Sequence, residues 1–348
     1  MNQRATIDDV AKLAGVSIAT VSRVISKSDR VRASTRAQVL QAIEDLHYQP
    51  DASARALASG RTYTVGCVIP TLDHSIFARA TQAMQTVLSD AGFQLLVGSS
   101  NYESNTELQV VRAFQQRGVD ALVLVGTDHA ASMWDAVTQW GKPALLSWSC
   151  DPRLPSVGFD NVTIAKHMTE HLLSLGHERI AVVSGFTANN DRARSRIQGV
   201  RQALSAHGLR LPKELLIEQS YNLHGGRLAL QQLMQLNQPP TAIFCAMDLL
   251  AAGVLLEAQR LQIDVPRTLS VCGIDNHELA EVISPGLTTI SLPTYELGRI
   301  TAERVLSALS GEAIPSQTIL PFELIVRGST AKVRASKRPR TSHAMHNH

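Results

Sequence analysis

Between residues 64 and 275 the chain repeats one arrangement: a short apolar run, then a stretch whose apolar residues fall on one face of a helix. Val65–Ile69 leads into a helix expected over 76–91, Leu95–Val97 into one at 105–117, and Ala121–Val125 into one at 131–140. Beyond Leu145 and Leu146 the arrangement starts again, with Ile180–Val183 before 193–207, Ala242–Cys245 before 248–261, and then Leu269–Gly273. Strands separated by helices need crossover connections and so pair in parallel. The body is therefore expected to be α/β, two Rossmann-like lobes whose parallel sheets carry helices on both faces. Such sheets place ligands beyond the carboxyl ends of their strands. Neither lobe carries a glycine-rich dinucleotide loop or a P-loop, and no cofactor is expected.

At 348 residues the chain is too long for one core and suggests two or three units. No stretch reaches the roughly 20 continuous apolar residues of a membrane span. The polar start at Met1 lacks the apolar core of a signal peptide, so a cytoplasmic protein with no membrane partner is expected. The four cysteines, Cys67, Cys150, Cys245 and Cys272, are far apart and form no CxxC pair. They read as small buried hydrophobes. The net charge of +3 is unevenly spread. Residues 1–62 hold nine basic and six acidic side chains, residues 63–331 hold 19 and 24, and residues 332–348 hold five basic and none acidic. One end is thus suited to phosphate and the remainder is not.

The basic end has its own pattern. Thr6, followed by Asp9, makes a capping box before Ile7, Val10, Ala11 and Ala14, which recur at helical spacing. Gly15 can take the left-handed backbone of a sharp turn, Val16 fills the corner, and Ser17 can cap a second helix, Ile18 to Ile25. There Val21, Val24 and Ile25 face inward, which leaves Ile18, Ala19, Thr20, Ser22 and Arg23 outside. A third helix from Ser34-Thr35 carries Val39, Ile43 and Leu46 on one face. Two helices joined by a tight glycine turn are a helix-turn-helix unit, although three amphipathic helices alone also fit a bundle with no nucleic-acid role. Asp51 to Ser59 is alanine-rich, bounded by Pro50 and Gly60, and too short to be a stable helix alone.

The ordered run Thr6-Ile7-x-x-Val10-Ala11-x-x-Ala14-Gly15-Val16-Ser17-x-x-Thr20-Val21-Ser22-Arg23-Val24 closely resembles the amino-terminal signature of the lactose-repressor (LacI/GalR) family. The likeness continues through Tyr48-x-Pro50-x-x-x-Ala54-Arg55-x-Leu57 and, by later motifs, to about residue 330. It implies a DNA-binding regulator. Ile18, Ala19 and Arg23 would read base edges in the major groove, Arg23 by a bidentate bond to guanine and the other two by apolar contact. Thr20, Ser22 and backbone N–H groups would hold phosphates, with Thr6 also in the DNA-facing set. Ser17 is either a phosphate contact or simply a cap. The resemblance makes residues 51–59 a hinge helix that pairs with its twin and pushes Leu57 into the minor groove, with Ala54 and Arg55 beside it. Packing of Leu57 on the body is the alternative. Asp51 stands where the family more often has Asn, a change that a helix N-cap tolerates.

In the body, the two lobes resemble a periplasmic sugar-binding protein. The family pattern is legible in Gly158-Phe159-Asp160-Asn161, Arg196-x-x-Gly199, Met247-Asp248 and Gly273-Ile274-Asp275. By that likeness Arg196 and Asp275 are effector contacts, the guanidinium gripping hydroxyls or a carboxylate. Asp248 joins them; Asp160 either touches the ligand or caps a helix. Trp148 follows an apolar run where the lactose-repressor pattern has an acidic residue, and would stack on a flat ligand or lid the core. Phe77 occupies a cleft position in the family. Met247 replaces the usual Asn, and Leu292 stands where the lactose repressor has Gln, which makes the pocket more apolar. With Arg192, Arg194 and Arg196 along one wall, a sugar acid is expected over a neutral sugar.

No catalytic motif (GxSxG, HExxH) and no metal-spaced histidine pair occurs, so neither catalytic nor metal residues are expected. The expected organisation is a helix-turn-helix domain at 1–48, a hinge at 49–62, and an effector-binding and dimerisation domain at 63–330. Its lobes are 63–158 plus 292–322, and 159–291, and a basic tail follows at 331–348. The expected function is that of a repressor, working as a homodimer on a pseudo-palindromic operator and controlled by a small carbohydrate-type effector. The tail lacks the leucine heptads of a tetramerising helix. The alternative is a soluble small-molecule-binding protein without gene control.

Overall fold

Local chemistry shapes the head. The Thr6 hydroxyl accepts the Asp9 N–H at 3.3 Å while the Asp9 carboxylate accepts the Thr6 N–H at 2.9 Å, so two orphan donors at the start of helix Ile7–Leu13 are satisfied. Gly15, at φ +64°, makes the turn, and helix Ile18–Ile25 follows. Helix Ala33–Asp45 closes the bundle. Val10, Ala11, Val21, Val24, Val39 and Ala42 form its core, with Val16, Ile43 and Leu46 packed against it. The computed structural model describes residues 5–25, 31–49, 56 and 60–333. The chain divides into two compact units, Met1–Thr64 with Gly118–Asp120, and the rest.

The second unit holds two six-stranded sheets. The first contains β1 (Thr64–Ile69), β2 (Gln94–Ser99), β3 (Ala121–Val125), β4 (Ala144–Trp148), β5 (Ser156–Gly158) and β11 (Gln317–Ile319), in the order β11-β5-β4-β3-β1-β2. The second contains β6 (Ile180–Ser184), β7 (Leu216–Glu218), β8 (Ala242–Cys245), β9 (Ser270–Asp275), β10 (Thr288–Ser291) and β12 (Glu323–Ile325), in the order β12-β10-β9-β8-β6-β7. The central strands pair in parallel, while β12 runs antiparallel against β10. Every residue of β3, β4, β6, β8 and β9 is buried, as expected of strands covered by helices on both faces. Cys67, Cys245 and Cys272 lie in this interior and Cys150 is half-buried. Burial pushes the Cys67 thiol up to about 12.

The chain passes between the lobes after β5, after β10, and between β11 and β12. Helix Thr294–Leu309 returns to the first lobe and packs on helix Ser75–Asp90. The carboxyl ends of β1, β3, β4, β6, β8 and β9 run directly into Pro70, Gly126, Ser149, Gly185, Ala246 and Asn276, and these turns frame the cleft. No helix among the described residues is long and apolar enough to cross a membrane.

Candidate functional site

Two surfaces carry the residues singled out from the sequence. On the head, Ser17, Ile18, Ala19, Ser22 and Arg23 are exposed together along the start and outer face of helix Ile18–Ile25, and Thr20 is half-buried. Ile18 is 47% exposed, an apolar side chain left in water that a thymine methyl could cover. Ser17 caps the helix, its Oγ accepting the Thr20 N–H at 3.3 Å and lying 3.0 Å from the Thr20 hydroxyl. Thr6 is committed to its capping box with Asp9. Ala54, Arg55 and Leu57 lie outside the described residues.

In the body, the strand ends bring acids, arginines and aromatic rings together. Arg196, 6% exposed, donates from Nε to Asn161 Oδ1 at 2.9 Å and from Nη1 to the Ala246 carbonyl at 2.6 Å. Arg192 pairs with Asp191 at 2.9 Å, and Arg194 with Asp128 at 2.7 Å. The Ser149 hydroxyl donates to Asp191 at 2.5 Å. Burial alone would raise the Asp191 carboxyl, but Arg192, Ser149 and Thr127 outweigh it and hold it below the usual range.

Asp248 and Asp275, at neighbouring strand ends, are both buried but very differently partnered. Asp248 accepts the Thr289 hydroxyl at 2.6 Å and the His277 N–H at 2.8 Å, one on each oxygen. Burial, and then the nearby Asp275, push its carboxyl well above the ordinary range. Asp275 is 7% exposed, and neither of its oxygens has a hydrogen-bond partner among the described residues. Burial raises its pKa to about 7 against the pull of Arg196. Its φ of +112° is one that a side chain rarely adopts.

Trp148 and Phe77, each 3% exposed, meet edge to face at 5.0 Å, and Trp148 also meets Phe159 at 6.0 Å. These rings pack against one another. Asp160 caps helix Asn161–Ser174, its two oxygens accepting the Thr163 N–H at 3.0 Å and the Thr163 hydroxyl at 2.5 Å.

Two cavities lie nearby. One of about 10 Å³ is bordered by His74, Ser75 and Ile76 of the first lobe and by Met247, Asp248, Leu249, Asp275 and His277 of the second. The other, of about 410 Å³, is walled by the rings of His74, Tyr102, Phe186 and Tyr221 and by the amides of Asn101, Asn189, Asn190 and Gln219. Its volume is that of a small-molecule site. Of the six expected effector residues only Asp248 and Asp275 border either space; Phe77, Trp148, Asp160 and Arg196 do not. The aromatic and amide walls were not singled out from the sequence. They follow β1, β2, β6 and β7, and the strand-end rule reaches them once the short edge strands are known.

A helix-turn-helix head followed by a two-lobed binding body defines a DNA-binding regulator of the ligand-responsive kind. The family profile for bacterial regulatory proteins of the lacI family matches residues 6–51, and that for a periplasmic binding protein-like domain matches residues 169–330. The HTH-type transcriptional repressor CytR of Escherichia coli is 31% identical over 332 residues, 94% of this chain and 96% of CytR. Among solved structures, a lac repressor dimer bound to operator and the anti-inducer ONPF matches with a TM-score of 0.85 at 26% identity, covering 94% of this chain and 100% of that one. A complex of the transcriptional regulator CelR with cellobiose matches with a TM-score of 0.70 at 27% identity, covering 94% and 100%. The chain belongs to the lacI family and is a DNA-binding transcriptional regulator. Its relatives are regulators, and no enzyme family is indicated.

Proposed function

We propose that this protein is a repressor that binds a pseudo-palindromic operator as a homodimer and whose DNA affinity is set by a neutral, hydroxyl-rich effector in the cleft. The observation that carries the effector reading is the 410 Å³ space walled by aromatic rings and amides, which shares His74 with the small cavity that Asp275 borders, its carboxylate without a partner among the described residues. Rings stack on the apolar face of a sugar, amides and carboxylates take its hydroxyls, and the related CelR is seen with cellobiose. Three arginines along one wall favour a sugar acid at first sight. Arg192 and Arg194 are neutralised by Asp191 and Asp128, and two of the Arg196 nitrogens are already bonded within the lobe. These arginines therefore have little positive charge to spare for a carboxylate, and a neutral ring fits better.

On the head, Ile18, Ala19 and Arg23 read bases, while Ser17, Thr20 and Ser22 position the helix on phosphates. Leu57 of each hinge wedges the minor groove, and residues 49–62 carry the signal from the body at 63–330. A single short helix reads few bases, so two heads on a symmetric site are needed. The effector acts by binding the two DNA-affinity states unequally. Selection of bound fragments from genomic DNA, followed by calorimetry with neutral sugars and sugar acids, tests this reading. Symmetric, salt-sensitive sites and tighter binding of a neutral sugar are expected. Preferential binding of sugar acids, or a stable tetramer in sedimentation, would contradict it.

A further inference from the structure

The chain enters β1 through a joint with two left-handed residues. Gly60, at φ +69°, closes the turn before it, its N–H donating to the Ala56 carbonyl at 2.8 Å. Three residues on, Tyr63 takes φ +52°, a backbone that a bulky side chain rarely adopts and that persists only where the surroundings impose it. Those surroundings are the residues just ahead of β3. Asp120 is 4% exposed, and its carboxylate accepts the Thr62 N–H on Oδ1 at 3.4 Å and the Thr64 N–H on Oδ2 at 3.3 Å, one from each side of Tyr63. The Thr62 hydroxyl donates to the Gly118 carbonyl at 3.0 Å and lies 3.4 Å from Asp120 Oδ2. The Thr64 carbonyl accepts the Asp120 N–H at 2.7 Å.

We propose that Asp120 is the positioning residue of this joint: its carboxylate holds Tyr63 in the left-handed bend and so fixes the path of residues 60–64, on which specific operator binding depends. This rests on the hinge and homodimer reading above. The β1–β3 ladder, which opens with Val65 opposite Ala121, is made by backbone groups and needs no carboxylate. A buried carboxylate is costly unless donors meet it, and here the donors come from the segment ahead of the ladder. The bonds to the carboxylate are long, so the bend is held by their number rather than by any one of them. Thr62 adds the tie to Gly118, where a side chain would meet the Thr62 methyl at 3.3 Å.

The consequence for DNA binding is one of effective concentration. Two heads hold a symmetric site tightly only when the first to land keeps the second close to its own half-site. A joint free to turn about Tyr63 spreads the second head over more orientations and dilutes it. It also lets the two hinges part before Leu57 enters the groove. Binding of one head to phosphates makes no such demand. Loss of the clamp therefore separates specific from non-specific binding, which unfolding of the head would not do.

The test measures binding of the full chain to the selected operator and to a scrambled duplex of equal length, together with the bend of an end-labelled operator by energy transfer. Asp120→Ala should lose about tenfold in operator affinity and much of the bend, with the scrambled duplex bound as by the wild type. Thr62→Val, which keeps the shape and removes the hydroxyl, should lose about threefold, and Thr62→Ser should restore it. Without DNA, trypsin should cut after the exposed Arg61 about tenfold faster in Asp120→Ala. Equal losses on both duplexes, or operator binding and cleavage like the wild type in Asp120→Ala and Thr62→Val, overturn the inference and leave the hinge reading intact. Where Asp120→Ala does not fold, Thr62→Val decides by the same comparison. A wild type that leaves the operator straight overturns the hinge reading and the inference with it.

Discussion

The outer face of helix Ile18–Ile25 and the interlobe cleft both offer side chains to a partner, and they are built in opposite ways. The helix face is local: seven consecutive residues, Ser17 to Arg23, set it through one cap and the buried Val21 and Val24 behind it. The cleft is assembled from turns after strands of two sheets, and its central carboxylate, Asp275, is buried rather than displayed. A local, exposed surface can lose a contact without loss of fold. In a buried site binding and stability are coupled, because the group that awaits the ligand destabilises the empty fold.

The largest effect should come from breaking the helix face through its support. Val21 is fully buried in the small core of the head, so Val21→Asp should unfold it and weaken operator binding by on the order of 100-fold or more. The thermal transition of the body should stay in place in a calorimetric scan. Next is Arg23→Ala, which removes an exposed contact. A loss of about 1–3 kcal/mol per half-site is expected in fluorescence anisotropy, with a loss of stability of no more than about 1 kcal/mol, that of an exposed interaction. An equal loss of stability would erase the contrast between the two surfaces.

The neighbouring carboxylates sharpen the other side of the comparison. Asp275 has a folded pKa raised to about 7 against about 3.9 in the unfolded chain. Its contribution to stability is therefore present below about pH 4 and lost as the pH rises through 7. Asp275→Asn should gain on the wild type across that window, reaching about 2–4 kcal/mol at neutral pH in denaturant titrations. Asp248→Ala should do the reverse, costing about 1–3 kcal/mol, because it orphans the Thr289 hydroxyl and the His277 N–H. The smallest change expected is Thr6→Ala, which removes the two bonds of the Thr6 hydroxyl to Asp9 and about 1 kcal/mol from the head alone.

The same contrast explains what could be read from the chain. The head was legible because its determinants are near neighbours: Thr6 with Asp9, the turn at Gly15, and the spacing of Val10, Val21 and Val39. In the body, strands β3 and β8 stand at the expected residues, since fully buried strands are continuous apolar runs. Other elements gave no such signal. Helix Leu223–Met234 opens with Gly225-Gly226, which reads as a loop, yet a side chain at Gly226 would collide with the Leu250 carbonyl of the neighbouring helix. β7, β11 and β12 have three residues each, too few to show alternation. Tyr221 and Tyr102 follow edge strands, so their place in the cleft depends on sheet order. Trp148, conspicuous at a strand end, is packed by Phe77 and Phe159, a contact between residues about 70 positions apart for the first pair.

The most direct test of the central claim is the response of operator binding to a cleft ligand in wild type and Asp275→Asn. Both proteins should bind the selected operator with equal affinity and equal salt dependence in the absence of sugar. A neutral sugar that alters the wild-type affinity at about pH 8 should leave Asp275→Asn nearly unmoved. The same shift in both proteins would show that the buried carboxylate is not where the effector is sensed.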